Sequence, residues 1–280
     1  MPLGPRTRVD LNMVTIEPGE GRHLFGISAS GYDAIRPGYP DWLFEALDKT
    51  CRLADAVVLD VGAGSGLATR ELLARGASVL AVEPDERFAG QLSRLGGSFP
   101  GRLEVKQESF EAAAIAPGAF DLVICATSMH WLDPGAGIEK LGLCLRAGGW
   151  LAAIWNLFGD SARSDAFHDA TVSLLSPLPV SPSAGTGVEY GMDIDARRQD
   201  FQRAGAGDEF MHKKSSWELV LDARGVRNLY GTFSGINKLS DEAREHVLDA
   251  LEAIAREQFA NRVVRNMVTT MYLGRKREYA

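Results

Sequence analysis

The chain has 280 residues, 45% of them hydrophobic, which is enough for one large domain or for a core domain with a second element inserted. A formal charge of −7 argues against general affinity for a nucleic-acid backbone, which depends on Lys and Arg releasing counterions. Cys51, Cys125 and Cys144 show no C-x-x-C pair and no metal-ligand spacing, and no segment is apolar for long enough to cross a bilayer. The expectation is a soluble cytoplasmic protein with free thiols, no metal, no membrane partner and no secretory signal.

In chain order, residues 1–40 read as an N-terminal arm with scattered Gly and Pro. Pro40 and Asp41 mark a helix start, and Trp42, Leu43, Ala46 and Leu47 recur at helical spacing. The β-branched run over 56–61 predicts a buried strand that feeds Gly62-Ala63-Gly64-Ser65-Gly66. A helix is expected over 67–75 with Gly76 as its stop, then a strand over 78–83 and a helix over 86–95. Strands follow at 103–107 and 120–126, a helix at 137–145, and a strand at 150–155 after the turn Arg146-Ala147-Gly148-Gly149. Strands alternating with helices predict parallel βαβ units in a doubly wound α/β sheet covered on both faces.

After Trp155 the rhythm changes. Residues 156–209 hold one helix (165–175), a stretch rich in Pro, Ser and Gly (176–187) and a charged helix (194–203). They read as an inserted cap over the carboxyl edge of the sheet, beside the ligand crevice. Residues 210–280 are expected to complete the core, with strands at 213–220 and 262–273 and a helix from Ser240 to about Gln258. The core proper is placed at 41–155.

The segment Asp60-Val61-Gly62-Ala63-Gly64-Ser65-Gly66 carries the chemistry. Glycines at the carboxyl end of the first strand let the backbone turn tightly and approach a ligand closely. Glu83, at the end of the second strand, is placed to accept from both ribose hydroxyls of a nucleoside. The dinucleotide fingerprint is G-x-G-x-x-G, but here the spacing is G-x-G-x-G with Leu67 where the third Gly would stand. A carboxylate at Asp60 repels a pyrophosphate but suits a ligand carrying an ammonium and a sulfonium. Charge thus favours S-adenosylmethionine over NAD.

The segment 58–66 resembles the first motif of class I S-adenosylmethionine-dependent methyltransferases, and Val82-Glu83-Pro84-Asp85 resembles their second. Gln107-Glu108-Ser109-Phe110-Glu111 is similar to their adenine-contacting segment, 120–131 to their fourth-strand motif, and 145–151 to their turn into the fifth strand. Tyr32-Asp33-x-x-Arg36-Pro37-x-Tyr39-Pro40 together with His130-Trp131 resembles a narrower branch, the trans-aconitate methyltransferase-like small-molecule enzymes. The resemblance implies a mostly parallel, seven-stranded Rossmann-like sheet with the cap inserted after the fifth strand. It also implies transfer of a methyl group from S-adenosylmethionine to a small-molecule acceptor, a carboxylate or a hydroxyl, leaving S-adenosylhomocysteine. The alternative is a protein that binds S-adenosylmethionine without transferring the methyl group.

Residue by residue, the resemblance places Asp60, Gly62, Ala63 and Gly64 at the methionine moiety and Glu83 at the ribose. It puts Pro84, Asp85, Ser109 and Phe110 around the adenine and Ala126 beside the cofactor. Arg36 is expected to pair with the cofactor carboxylate and Tyr32 to close over it. Many relatives carry Asp where Ser109 stands. His130 is the candidate for the reacting end, as a general base or as a hydrogen-bonding wall of the acceptor pocket. Trp131 is expected to line that pocket, and Trp155 to line it or to belong to the core.

Overall fold

A computed structural model describes residues 15–17, 35–160, 163–184 and 188–278. Tyr32 and most of the expected N-terminal arm lie outside the described residues.

Helix α1 (Asp41–Cys51) starts after Pro40, whose fixed φ suits a helix entry, and ends at Arg52 in the left-handed region. It buries Leu43, Phe44, Ala46 and Leu47. Strand β1 (Val57–Val61) leads through the glycine turn into α2 (Leu67–Ala74), then β2 (Ser78–Val82), α3 (Glu86–Gly96), β3 (Leu103–Lys106) and β4 (Phe120–Ala126). A 3-10 turn at Met129–Trp131 precedes α4 (Ala136–Cys144) and β5 (Leu145–Phe158). Beyond these come α5 (Ala166–Leu175), α6 (Ile194–Arg203), β6 (Asp208–Leu221), α7 (Ala223–Tyr230), α8 (Ser234–Asn237), α9 (Asp241–Gln258) and β7 (Val263–Arg275).

The sheet has seven strands in the order β3-β2-β1-β4-β5-β7-β6. β1 to β5 are parallel, whereas β7 runs antiparallel to both β5 and β6, so the sheet is mixed. The chain winds outward in opposite directions from β1 and β4, which opens a crevice at their carboxyl ends. Side chains alternate across the sheet. Val58, Leu122, Ile124 and Ile154 pack with α1 and α2 on one face. Leu59, Val123, Cys125 and Ala153 pack with Ile138 and Leu141 of α4 and Phe201 of α6 on the other.

Two departures from the sequence reading have physical causes. β5 begins at Leu145, directly after α4, and not at Trp150. The Gly148-Gly149 stretch forms an irregularity within the strand, where Phe120 pairs Leu145 but Leu122 pairs Trp150. Gly148 takes φ +72° there, and a Cβ on Gly149 would lie 3.0 Å from Phe120 O. The second departure is the helical layer beside the crevice, which is drawn from both sides of β6. Phe167 of α5 packs with Val226 and Tyr230 of α7, Ile236 of α8, and Val247, Leu248 and Leu251 of α9. α6, which the sequence placed with the cap, packs instead on the sheet through Phe201 and Ala204. α7 escaped detection because it is short and contains Gly225. Its N-cap Asp222 accepts from Gly225 N at 2.6 Å, and its apolar stripe is Ala223, Val226, Leu229 and Tyr230.

Candidate active site

After Val61 the chain turns through Gly62, Gly64 and Gly66, all in the left-handed region (φ +66°, +57°, +93°). At Gly62 space also forbids a side chain, since an added Cβ would lie 2.7 Å from Ser128 Cβ. The amides of Gly62 and Ala63 donate to Val82 O at 2.9 and 3.3 Å, and Ser128 Oγ donates to Val61 O. The turn is thus strapped both to β2 and to the segment after β4.

Asp60, immediately before the turn, is fully buried. Thr69 Oγ1 donates to its Oδ2 at 2.6 Å, while Oδ1 has no hydrogen-bond partner among the described residues. Burial pushes the carboxyl up to about 6 despite the Thr69 hydrogen bond. A buried carboxylate with an unsatisfied oxygen is costly unless a ligand completes it. Asp60 does not itself line the cavity described below.

Glu83 follows β2 and is 6% exposed. Gly64 N donates to its Oε2 at 2.8 Å and Asp85 N to its Oε1 at 2.9 Å. Burial pushes its carboxyl up to about 7, and the two amides pull the other way. Each oxygen thus has one lone pair tied to backbone and another left for a ligand. Asp85 acts differently. Its side chain caps α3 by accepting from Arg87 N at 2.9 Å and pairs with the Arg87 guanidinium. Burial raises its pKa, but the Arg87 hydrogen bonds and charge outweigh this and hold the carboxyl below its ordinary range. Asp85 fixes the helix entry and is absent from the cavity wall, whereas Pro84 is on it.

These elements border a cavity of about 490 Å³ that runs from the glycine turn to the helical layer. At one end it is lined by Gly62, Ala63, Gly64, Glu83, Pro84 and Phe88, with Ser109, Phe110 and Ala126 beside them. Lys140 Nζ holds the 110–113 loop by donating to the carbonyls of Phe110 (2.6 Å), Glu111 (3.1 Å) and Ala113 (2.7 Å). Ser109 Oγ accepts from Ala112 N at 3.3 Å and so caps that loop.

The middle of the cavity is lined by His130, Trp131 and Trp155. Trp155 is both core and wall: fully buried, it donates through Nε1 to His130 Nδ1 at 3.1 Å. An imidazole that accepts at Nδ1 carries its proton on Nε2, which makes it a donor there. Burial, helped by the Arg197 charge, depresses His130 to about 3, so it is neutral at physiological pH. With Nδ1 occupied and Nε2 protonated, the ring has no free lone pair with which to act as a base.

Arg36 lies over Phe233 at 4.9 Å and Phe158 at 5.8 Å, and donates to Thr232 Oγ1 at 2.8 Å and Thr232 O at 3.3 Å. Arg36 therefore lines the cavity from the side of the helical layer. Several wall residues were not singled out from sequence. Asn156 Nδ2 donates to Pro37 O and Gly38 O at 3.2 and 3.1 Å, tying the entry segment to the end of β5. Tyr39 and Thr127 share a 2.8 Å hydroxyl hydrogen bond, and Thr127 takes φ +58°, which a β-branched residue adopts only where its surroundings over-determine it. Glu189, Tyr230, Phe233 and Arg265 are also on the wall. Their signal was weak because Glu189, Tyr230 and Phe233 sit on loops and short helices and Arg265 on the last strand, which only tertiary packing brings to the crevice.

Residues 59–153 match the family model of a methyltransferase domain. Over these residues the chain is similar to methyltransferase domains. An uncharacterised methyltransferase of Schizosaccharomyces pombe is 26% identical over 264 residues, covering 90% of this chain and 96% of the relative. An uncharacterised methyltransferase of Mycobacterium tuberculosis is 34% identical over 132 residues, covering 47% of this chain and 51% of the relative, so the chain spans about half the length of this curated relative. Among solved structures, a protein of Anaeromyxobacter dehalogenans assigned as a type II methyltransferase superposes with a TM-score of 0.59 at 24% identity, covering 87% of this chain and 99% of that one. An S-adenosylmethionine-dependent methyltransferase of Thiobacillus denitrificans in complex with S-adenosylhomocysteine gives 0.50 at 17% identity, covering 89% and 97%. These likenesses show the fold. No helix among the described residues is long and apolar enough to cross a membrane.

Proposed function

We propose that the protein is an S-adenosylmethionine-dependent methyltransferase acting on a small-molecule acceptor. The observation that carries this reading is Glu83, with both carboxylate oxygens fixed by backbone amides and facing a cavity beside a glycine turn. The site also fits the cofactor in charge. Asp60 and Glu83 flank the turn, and Asp60 keeps one buried oxygen unsatisfied. A pyrophosphate would meet repulsion there, and a cationic ligand would not.

When bound, S-adenosylmethionine supplies an already activated methyl group, so the work left to the protein is positioning and exclusion of water. Glu83 would accept from the ribose hydroxyls. Pro84, Ser109 and Phe110 would enclose the adenine, and Gly62, Ala63 and Gly64 would let the backbone approach the methionine part, with Ala126 beside it. Asp60 would act from behind the turn, holding it and adding negative charge. Arg36 would meet the cofactor carboxylate. His130 would present Nε2–H to the acceptor, in the role of a hydrogen-bonding wall, with Trp131 and Trp155 as apolar sides. The helical layer from 166–175 and 223–258 would cover the acceptor end. Carboxylate and hydroxyl acceptors both suit this frame, and the likeness of 32–40 and 130–131 to the trans-aconitate methyltransferase-like branch supports a small molecule.

Isothermal titration with S-adenosylhomocysteine and with NAD tests the reading. Saturable binding of the first, lost in Glu83→Ala, is expected. Binding of NAD alone would overturn it.

A further inference from the structure

The structure takes the base role from His130 and offers another group for it. Residues 189–192 lie against the middle of the cavity. The Tyr190 ring is 5.8 Å from His130 and 5.7 Å from Trp155, and a Cβ on Gly191 would lie 3.0 Å from Trp155 Cγ. The segment is pinned in place: Tyr272 Oη donates to Gly191 O at 2.9 Å, Arg197 donates to Tyr190 O, and the Arg197 guanidinium sits 3.3 Å from the Tyr190 ring centroid. Arg197 is itself paired with Asp200 at 2.8 Å. Met192 N donates to Glu189 O at 2.8 Å, so the Glu189 backbone is held as well.

Glu189 lines the cavity, and no described residue donates to its carboxylate. Burial pushes that carboxyl up to about 7. A carboxylate with no partner among the described residues costs stability in a cavity wall unless a ligand completes it. It has what His130 lacks, which is lone pairs that no described residue takes.

Building on the methyltransferase reading, we propose that Glu189 takes the proton from the methyl acceptor, and that the acceptor is a neutral protic nucleophile, a hydroxyl or an amine, rather than a carboxylate. The acceptor's lone pair forms the bond to the methyl carbon. The carbon–sulfur bond breaks and its electron pair stays on sulfur. The proton left on the acceptor oxygen or nitrogen passes to a Glu189 oxygen, and the resulting carboxylic acid later returns it to solvent. A carboxylate acceptor needs no such step and would face like charge at Glu189.

The test compares the wild type with Glu189→Gln in four readouts. S-adenosylhomocysteine binding by calorimetry serves as the check on the underlying reading: its absence in the wild type would sink the methyltransferase assignment itself, and equal binding in both proteins isolates the acceptor question. Next, 4-methylphenol and 4-methylbenzoate, matched in shape, are titrated into the S-adenosylhomocysteine complexes. The wild type is expected to prefer the phenol, and Glu189→Gln to bind the benzoate about tenfold more tightly once the repulsion is gone, a factor worth about 1.4 kcal/mol. Unchanged benzoate binding would count against the proposal. Finally, turnover is followed with a panel of phenols, alcohols, amines and carboxylic acids. Turnover of neutral acceptors, falling about 10²–10⁴-fold in Glu189→Gln, would support the proposal. Methylation of carboxylic acids alone, of none of the neutral acceptors, or at equal rates in both proteins would overturn it. Melting of Glu189→Gln no lower than wild type shows that the variant is folded.

Discussion

Titration of Glu83 should link ligand affinity to pH in a direction opposite to its effect on stability. Its carboxyl sits at about 7 in the free protein because burial outweighs the two backbone amides. A carboxylate can accept from two ribose hydroxyls, whereas a protonated carboxyl cannot, so binding selects the ionised form. At pH 8 most Glu83 is ionised; at pH 6 only about one-tenth is, which makes the apparent Kd about tenfold larger and weakens binding by about 1.4 kcal/mol. Asp60, pushed up to about 6, begins to add to the loss at the acid end of that range. For the free protein the sign reverses. A raised carboxyl contributes stability that is fully present below its ordinary value near 4.5 and is lost as pH rises through about 7. Ligand-free protein should therefore lose stability from pH 5 to 8 at this site while gaining affinity for S-adenosylhomocysteine. Titration calorimetry in two buffers of different ionisation enthalpy reads the proton released on binding. Glu83→Gln should bind more weakly by about 1.5–3 kcal/mol, the loss of hydrogen bonds to a charged group, and should show a flattened pH dependence. Affinity that is level or rises as pH falls from 8 to 6 would refute the reasoning.

Asp60→Asn removes a buried charge with an unsatisfied oxygen, so the free protein should melt higher at pH 8 while calorimetric affinity for S-adenosylhomocysteine falls at least about tenfold; wild-type affinity would remove Asp60 from the site. Gly62→Ala must place a Cβ 2.7 Å from Ser128 Cβ at φ +66°, which should lower unfolding free energy in urea by about 2–4 kcal/mol and abolish binding; an unchanged midpoint would contradict the described turn. His130→Gln can keep a donor toward the cavity, so turnover should stay within about tenfold of wild type once an acceptor is found. A fall in the general-base range of about 10²–10⁴ with intact cofactor binding would restore the base role.

Much of the fold was legible because its signals are local. A β-branched strand running into Gly62, Gly64 and Gly66 admits few readings, and Glu83 at the next strand end follows from the βαβ spacing. What escaped were features set by distant residues. The Gly148-Gly149 stretch looks like a turn in sequence and becomes a strand irregularity because β4 pairs across it. The helical layer joins α5 to α7, α8 and α9 across an intervening strand, so a boundary drawn from sequence rhythm alone could not anticipate it. The same holds within the site. That His130 accepts from Trp155 depends on a contact across 25 positions, and this contact decides its tautomer. Asp85 follows Glu83 by two positions, yet its carboxylate turns to Arg87 and the helix entry instead of the cavity. Glu189 sits in a segment whose sequence suggests only a loop, and its chemistry emerges from the packing of Tyr190 and Gly191 against Trp155.

The most direct test of the central claim is transfer itself. Protein incubated with S-adenosylmethionine bearing a deuterated methyl group and a small-molecule extract should place the label on a discrete compound while S-adenosylhomocysteine accumulates, and Glu83→Ala should do neither. Tight binding of S-adenosylmethionine with no labelled product from extract or acceptor panel would contradict the methyltransferase assignment and leave a protein that binds the cofactor without spending its methyl group.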